Sequence, residues 1–191
     1  MLSVTDICNL ALGRIGAEAI TDINQLNNVR ATICKRFYEQ ARDAILREHP
    51  WNCATSRAAL TALSAAPAFG YEYQYQLPID CLRVIQMEYK DDSFRIEGRL
   101  LLTDSDQCNI LYIKKTNDTA VLDPLIIDSI AAKLAAMIAF PITQSLSLSR
   151  EINEELIRVL LPKAKHADAM ESSSRNVDDE NGSSSWLNSR M

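Results

Sequence analysis

The chain has 191 residues, 47% of them apolar and 24% charged, which suits one folded domain with a real core and excludes a fibrous or wholly disordered protein. A formal charge of −5, from 20 basic and 25 acidic residues, argues against a DNA-coating surface built to neutralise phosphates. The cysteines Cys8, Cys34, Cys53, Cys81 and Cys108 are odd in number and none form C-x-x-C, so they read as buried free thiols rather than a zinc site or a disulfide framework.

Ser3 with Asp6 resembles a capping box, and Ile7, Leu10, Ala11 and Ile15 follow at helical spacing. A first helix is expected over residues 3–16, with Gly16 as its stop. A polar connection over residues 17–28 leads to a longer helix over 29–49. In it Val29, Ile33, Phe37, Ala41 and Ile45 form a stripe expected to face the core, while Lys35, Arg36, Glu39, Arg42 and Asp43 are expected to be solvated. Pro50 forces His49 out of helical geometry and ends the helix.

The period then changes from 3.6 to 2. Tyr71, Tyr73, Tyr75 and Leu77 alternate with Glu72, Gln74 and Gln76, the pattern of a half-buried strand. Residues 82–87 and 109–114 are further strands, and Gly98-Arg99 between two apolar segments reads as a hairpin turn. One small antiparallel sheet is expected over residues 71–115.

Asp123-Pro124 opens a third helix, over 124–140, with an N-cap and a proline at the first helical position. Pro141 is expected to end it. A last helix is expected over 149–170, with Ile152, Leu156, Val159 and Leu160 as its apolar positions and a bend or break at Pro162. No apolar run reaches the ~18 residues of a membrane span, and the first residues show no basic leader, so a soluble intracellular product is expected. Residues 171–191 differ in kind: seven of these 21 are serine, Asp178, Asp179 and Glu180 form an acidic run, and Trp186-Leu187 stands near the end. The fold class expected is α+β, mainly α: a helical bundle over residues 1–170 with a small antiparallel sheet inserted between its N-terminal and C-terminal helices, followed by a flexible docking arm.

Chemistry is sparse. The two histidines, His49 and His166, accompany no nucleophile motif, and the five glycines form no phosphate-binding loop. No metal-ligand spacing is recognisable, and no cofactor is expected. Glu72, Asp80, Glu88 and Glu97 lie in the strand region, where paired carboxylates would suit glycoside cleavage, the basis of an alternative reading as a tail-associated, peptidoglycan-degrading enzyme. A DNA-binding terminator is a second alternative, and the net charge speaks against it.

Several stretches, in order over residues 7–170, resemble the tail tubular protein A family of head-to-tail adaptors in short-tailed bacteriophages. They are Cys8–Gly16 with Ile20-Thr21, Tyr38–Ala54 with its A-R-D and P-W-N triplets, Tyr75–Val84, Phe94–Arg99, and the alanine-rich run Ala131–Ala135. Cys53 stands where the family commonly has Phe after P-W-N, and Pro162 interrupts the last helix. Arg42, Asp43, Pro50, Trp51 and Pro78 are the structural motif positions: Trp51 an apolar anchor at the helix-to-strand junction, Pro78 a setter of the next strand, and Arg42 with Asp43 a pairing or cap across helices. The resemblance implies a structural assembly protein with no catalytic, cofactor or metal residues. It implies a homo-oligomeric ring, dodecameric in the virion, bound beneath the portal protein and seating the nozzle, tail tubular protein B. DNA would pass through its lumen without specific binding, no membrane would be involved, and Trp186 and Leu187 would be portal-docking anchors.

Overall fold

The computed structural model describes residues 2–25, 27–88 and 93–171. The elements run α1 (Val4–Arg14), α2 (Val29–Glu48), β1 (Thr55–Leu60), β2 (Tyr73–Gln76), β3 (Cys81–Met87), β4 (Phe94–Glu97), β5 (Leu100–Thr103), β6 (Cys108–Lys114), α3 (Pro124–Thr143), α4 (Leu146–Glu155) and α5 (Leu161–Met170). The class is α+β, mainly α, with the strands between the second and third helices.

Local chemistry sets the helix ends. Ser3 and Asp6 close a reciprocal capping box on α1, and Gly16, at φ +70°, turns the chain out of it. Asn28 caps α2 by accepting from the amides of Arg30 and Ala31. Asp123 caps α3 through the Leu125 amide at 2.7 Å, with Pro124 next to it as expected. The hub is α3, whose Ile126, Ile130, Leu134 and Ile138 are buried against α1, α2 and α4. Its small residues Ala131, Ala132, Ala135 and Ala139 are buried too and let those neighbours approach closely. α3 is long and apolar enough to cross a membrane, contrary to the expectation that no run reaches that length, and 61% of its most apolar window is buried inside this fold.

Among the described residues the strands form two three-stranded antiparallel sheets, ordered β1-β6-β3 and β2-β5-β4, rather than the single sheet expected. β1 was not anticipated: Thr55–Leu60 lies upstream of the expected sheet, and pairing with β6 defines it. The chain then bridges to the other sheet through Ala62 opposite Tyr75. β6 serves two cores by its period of two: Cys108, Ile110 and Tyr112 pack toward Tyr75 and Leu101 of the second sheet, while Ile113 joins the helical core. Two irregularities in β3, between Cys81 and Arg83 and between Val84 and Gln86, let Cys81, Val84 and Met87 face the second sheet while Leu82 and Ile85 face the helices. The hairpin at Gly98-Arg99 is as expected, with Gly98 at φ +60°.

Other expectations change. On α2 the buried stripe is Ala31, Cys34, Tyr38, Ala41, Arg42, Ile45 and Leu46; Val29, at the mouth of the helix, is 73% exposed, and Ile33 and Phe37 flank the stripe. Pro141 does not end α3, which continues to Thr143 and stops at Gln144 in the left-handed region, φ 57°. A proline near the C-terminal end costs one internal bond and leaves the following residues free to stay helical. The last helix starts at Leu146, capped by Ser145, and Val159 faces out at 55% exposure. Before Pro162 it widens into a π turn over Leu156–Leu160, with the Leu161 amide bonding back to Leu156. The wide turn accommodates the missing proline N–H, and the helical run passes into α5 without a break in sequence.

Candidate functional site

Arg42, Asp43, Pro50 and Trp51 lie along the second half of α2 and just past its end, where the chain hands over to the sheets, and Pro78 lies between β2 and β3. Arg42 lies on the buried face of α2 and is 2% exposed, contrary to the solvated position its charge suggests. Its Nε donates to Asp43 Oδ1 at 2.9 Å and its Nη1 to Asn117 Oδ1 at 2.6 Å. Nη2 is 2.8 Å from Asp43 Oδ1 but off the hydrogen-bonding direction, so it is held by charge alone. The guanidinium also stands 5.7 Å from the Tyr38 ring centre. Lys115 completes the cluster, 3.1 Å from Glu39 and 3.4 Å from Asp43. Its ammonium holds the Glu39 carboxyl below the ordinary range, and Glu39 in turn raises Lys115. Together Arg42 and Lys115 fasten α2 to the segment that follows β6.

About two turns later the chain reverses. His49 is extended, φ −141° and ψ 152°, as the residue before Pro50 must be. Trp51 is fully buried, and its indole N–H reaches the Ile45 carbonyl at 2.8 Å. Its own carbonyl accepts the Thr55 hydroxyl at 2.7 Å, which sets the start of β1. The His49 ring meets the Trp51 ring edge-on, centroids 4.7 Å apart. α5 latches onto this corner: Asp168 accepts the Asn52 amide at 2.9 Å, its backbone carbonyl accepts Asn52 Nδ2 at 2.8 Å, and its Oδ2 lies 3.5 Å from His49 Nε2. Lys165 reaches Glu48 at 3.2 Å beside it. Pro78 sits between β2 and β3; its carbonyl accepts the Cys81 amide at 2.9 Å and an Arg99 N–H.

Periodicity could not reveal Asn117, Asn52 or Asp168, because each meets its partner across 75 or 116 residues of chain. Trp186 and Leu187 lie outside the described residues.

The four carboxylates of the enzyme alternative take separate positions. Glu88 accepts from Asn109 at 2.6 Å, Glu97 pairs with Arg95 at 3.2 Å, and Asp80 sits near Tyr112 and Lys114 at the other end of β6. Glu72 is exposed before β2. An open cavity of about 390 Å³ at the far end of the first sheet is lined by Arg57, Gln86, Glu88 and Asn109 and holds one of these carboxylates. His166 is exposed on α5. Among the described residues no three His, Cys, Asp or Glu groups gather in a way that would hold a metal ion. Cys8 and Cys34 meet in the helical core; contact with Cys34 and burial push the Cys8 thiol well up.

The Arg42, Trp51 and Asp168 contacts together tie the helices to the start of β1 and to the segment beyond β6. No protein-family model matches the chain, and no curated protein matches it.

Proposed function

We propose that this chain is a structural head-to-tail adaptor of a tailed phage, a subunit of a ring beneath the portal that extends the DNA channel and seats the tail nozzle. The reading rests on the ordered motifs that resemble the tail tubular protein A family. The observation that supports it best is where those motifs go: Arg42 and Trp51 are buried in one junction, spent on holding its shape. A subunit that repeats around a ring needs that shape to be identical in every copy. In this reading the partners are the portal protein, tail tubular protein B and further copies of the chain, twelve in the virion. DNA slides past an acidic lumen without specific contacts, because like charge repels phosphate. The reading assigns no catalytic residue and no cofactor.

Negative-stain imaging of the protein mixed with its cognate portal tests this. The expected result is an added layer on the portal, with ring symmetry matching it. A portal left bare at saturating protein would overturn the reading.

A further inference from the structure

Three arginines surround the turn between β2 and β3. Arg47, at the end of α2, donates to the Leu82 carbonyl, and Arg99, in the β4–β5 turn, donates to the Pro78 carbonyl. Both charges act on the intervening Cys81, and Arg83 lies on the same segment with its charge reaching His49. None of the three has a carboxylate within ion-pair distance among the described residues. The nearby acids are engaged elsewhere: Asp80 with Lys114, Glu48 with Lys165, and Asp168 with His49 and Asn52. In a chain of net charge −5 this is a local excess of positive charge, and Ile79 stands in its midst 95% exposed. Arginines with spare N–H groups beside an exposed aliphatic side chain fit an acidic segment that also carries apolar residues.

The chain holds such a segment, and it starts next door. α5 ends against Asn52 and His49, at the same corner as the end of α2. The acidic run Asp178-Asp179-Glu180 begins seven residues after Glu171, within a reach of ~25 Å, and Trp186-Leu187 follows. We propose that this acidic run docks on the Arg47, Arg83 and Arg99 patch of its own chain and lays Trp186 and Leu187 against Ile79. The proposal does not depend on the adaptor reading. If the chain is an adaptor, this contact keeps its apolar anchors covered until a partner surface competes for them.

The test is acrylamide quenching of Trp186 in the full chain, obtained as the difference from Trp186→Phe; Trp51 is fully buried and contributes little. At low salt Trp186 should quench several-fold less than in a free peptide of residues 172–191. Protection should vanish at about 1 M NaCl, where screening acts over ~3 Å, and in the D178N/D179N/E180Q variant. It should weaken in Arg83→Gln, which removes charge without removing any hydrogen bond of the fold. Quenching equal to the free peptide at low salt would overturn the proposal. So would protection indifferent to salt and to Arg83, which would put Trp186 elsewhere. Protection that grows with protein concentration would place the segment on a second copy and overturn the intrachain contact. The quenching is read on the chain without portal, so its outcome and that of the portal imaging are distinguishable.

Discussion

The indole N–H of Trp51 donates to the carbonyl of Ile45, six residues back, at 2.8 Å with both residues buried. The last turn of a helix lacks donors for its carbonyls, and Pro50 removes one more. Trp51 thus fills the junction and satisfies the end of α2 with the same side chain. Trp51→Ala should cost about 4 kcal/mol, the range for emptying a large buried aromatic site. Trp51→Phe keeps most of the volume and should cost about 1–2 kcal/mol by removing the bond. Urea melts check both; the midpoint should fall at unchanged slope.

Arg42 should behave as a buried charge with a fixed set of partners. Asp43→Ala leaves the guanidinium without its counter-ion and should cost about 3 kcal/mol. Glu39→Ala, at the exposed rim of the same cluster, should cost under about 1 kcal/mol. A double-mutant cycle with Arg42→Met and Asn117→Ala should return a coupling of about 1–3 kcal/mol; additive losses would show that the 2.6 Å contact does not bind α2 to the segment beyond β6.

These residues also show how far a single sequence reaches. The α1 cap, the end of α2 at Pro50, the Asp123-Pro124 start of α3 and the Gly98 hairpin were legible, since each is set by residues a few positions apart. β1 was not: Thr-Ser-Arg-Ala-Ala-Leu has little alternation, and only its partner β6 makes it a strand. The division into two sheets depends on registers that join distant segments. Arg42 was misplaced because a helical wheel assigns arginine to water, whereas Asn117 and Asp43 supply the partners that permit burial. The stripe of α2 consequently sits one position away from its most obvious apolar residues. At the junction, Trp51 and Pro50 were legible as fixtures, but the Asp168 latch across 116 residues was not.

Gly98 offers a test of backbone strain separated from packing. Its φ is +60°, and a Cβ placed there would meet nothing within 4 Å. Gly98→Ala should therefore cost only the left-handed backbone penalty, about 1 kcal/mol. Gly98→Asn should cost less, because asparagine tolerates that region. A thermal melt of the three proteins should rank them Gly, Asn, Ala; a loss well above ~1 kcal/mol would mean the turn packs against something.

The latch between α5 and the α2 corner should weaken in mild acid. Burial lowers the His49 pKa below its ordinary 6.5, with Asp168 pulling the other way and Lys165 and Arg83 adding to the lowering. A histidine with a lowered folded pKa binds fewer protons folded than unfolded, so stability rises with pH across the interval between the two values. The His49 contribution is fully present above the unfolded value and is lost as pH falls through the interval to the folded one. Melting temperature should thus decline as pH drops below 6.5, and in His49→Gln that part of the slope should disappear while the decline from carboxylates at lower pH remains. Hydrogen exchange at the Asn52 amide, which Asp168 accepts at 2.9 Å, should speed up over the same interval beyond its intrinsic pH dependence in the wild type and not in the variant. If Asn52 keeps its protection in acid, the latch holds by the asparagine bonds alone and His49 contributes packing against Trp51 without any pH sensitivity.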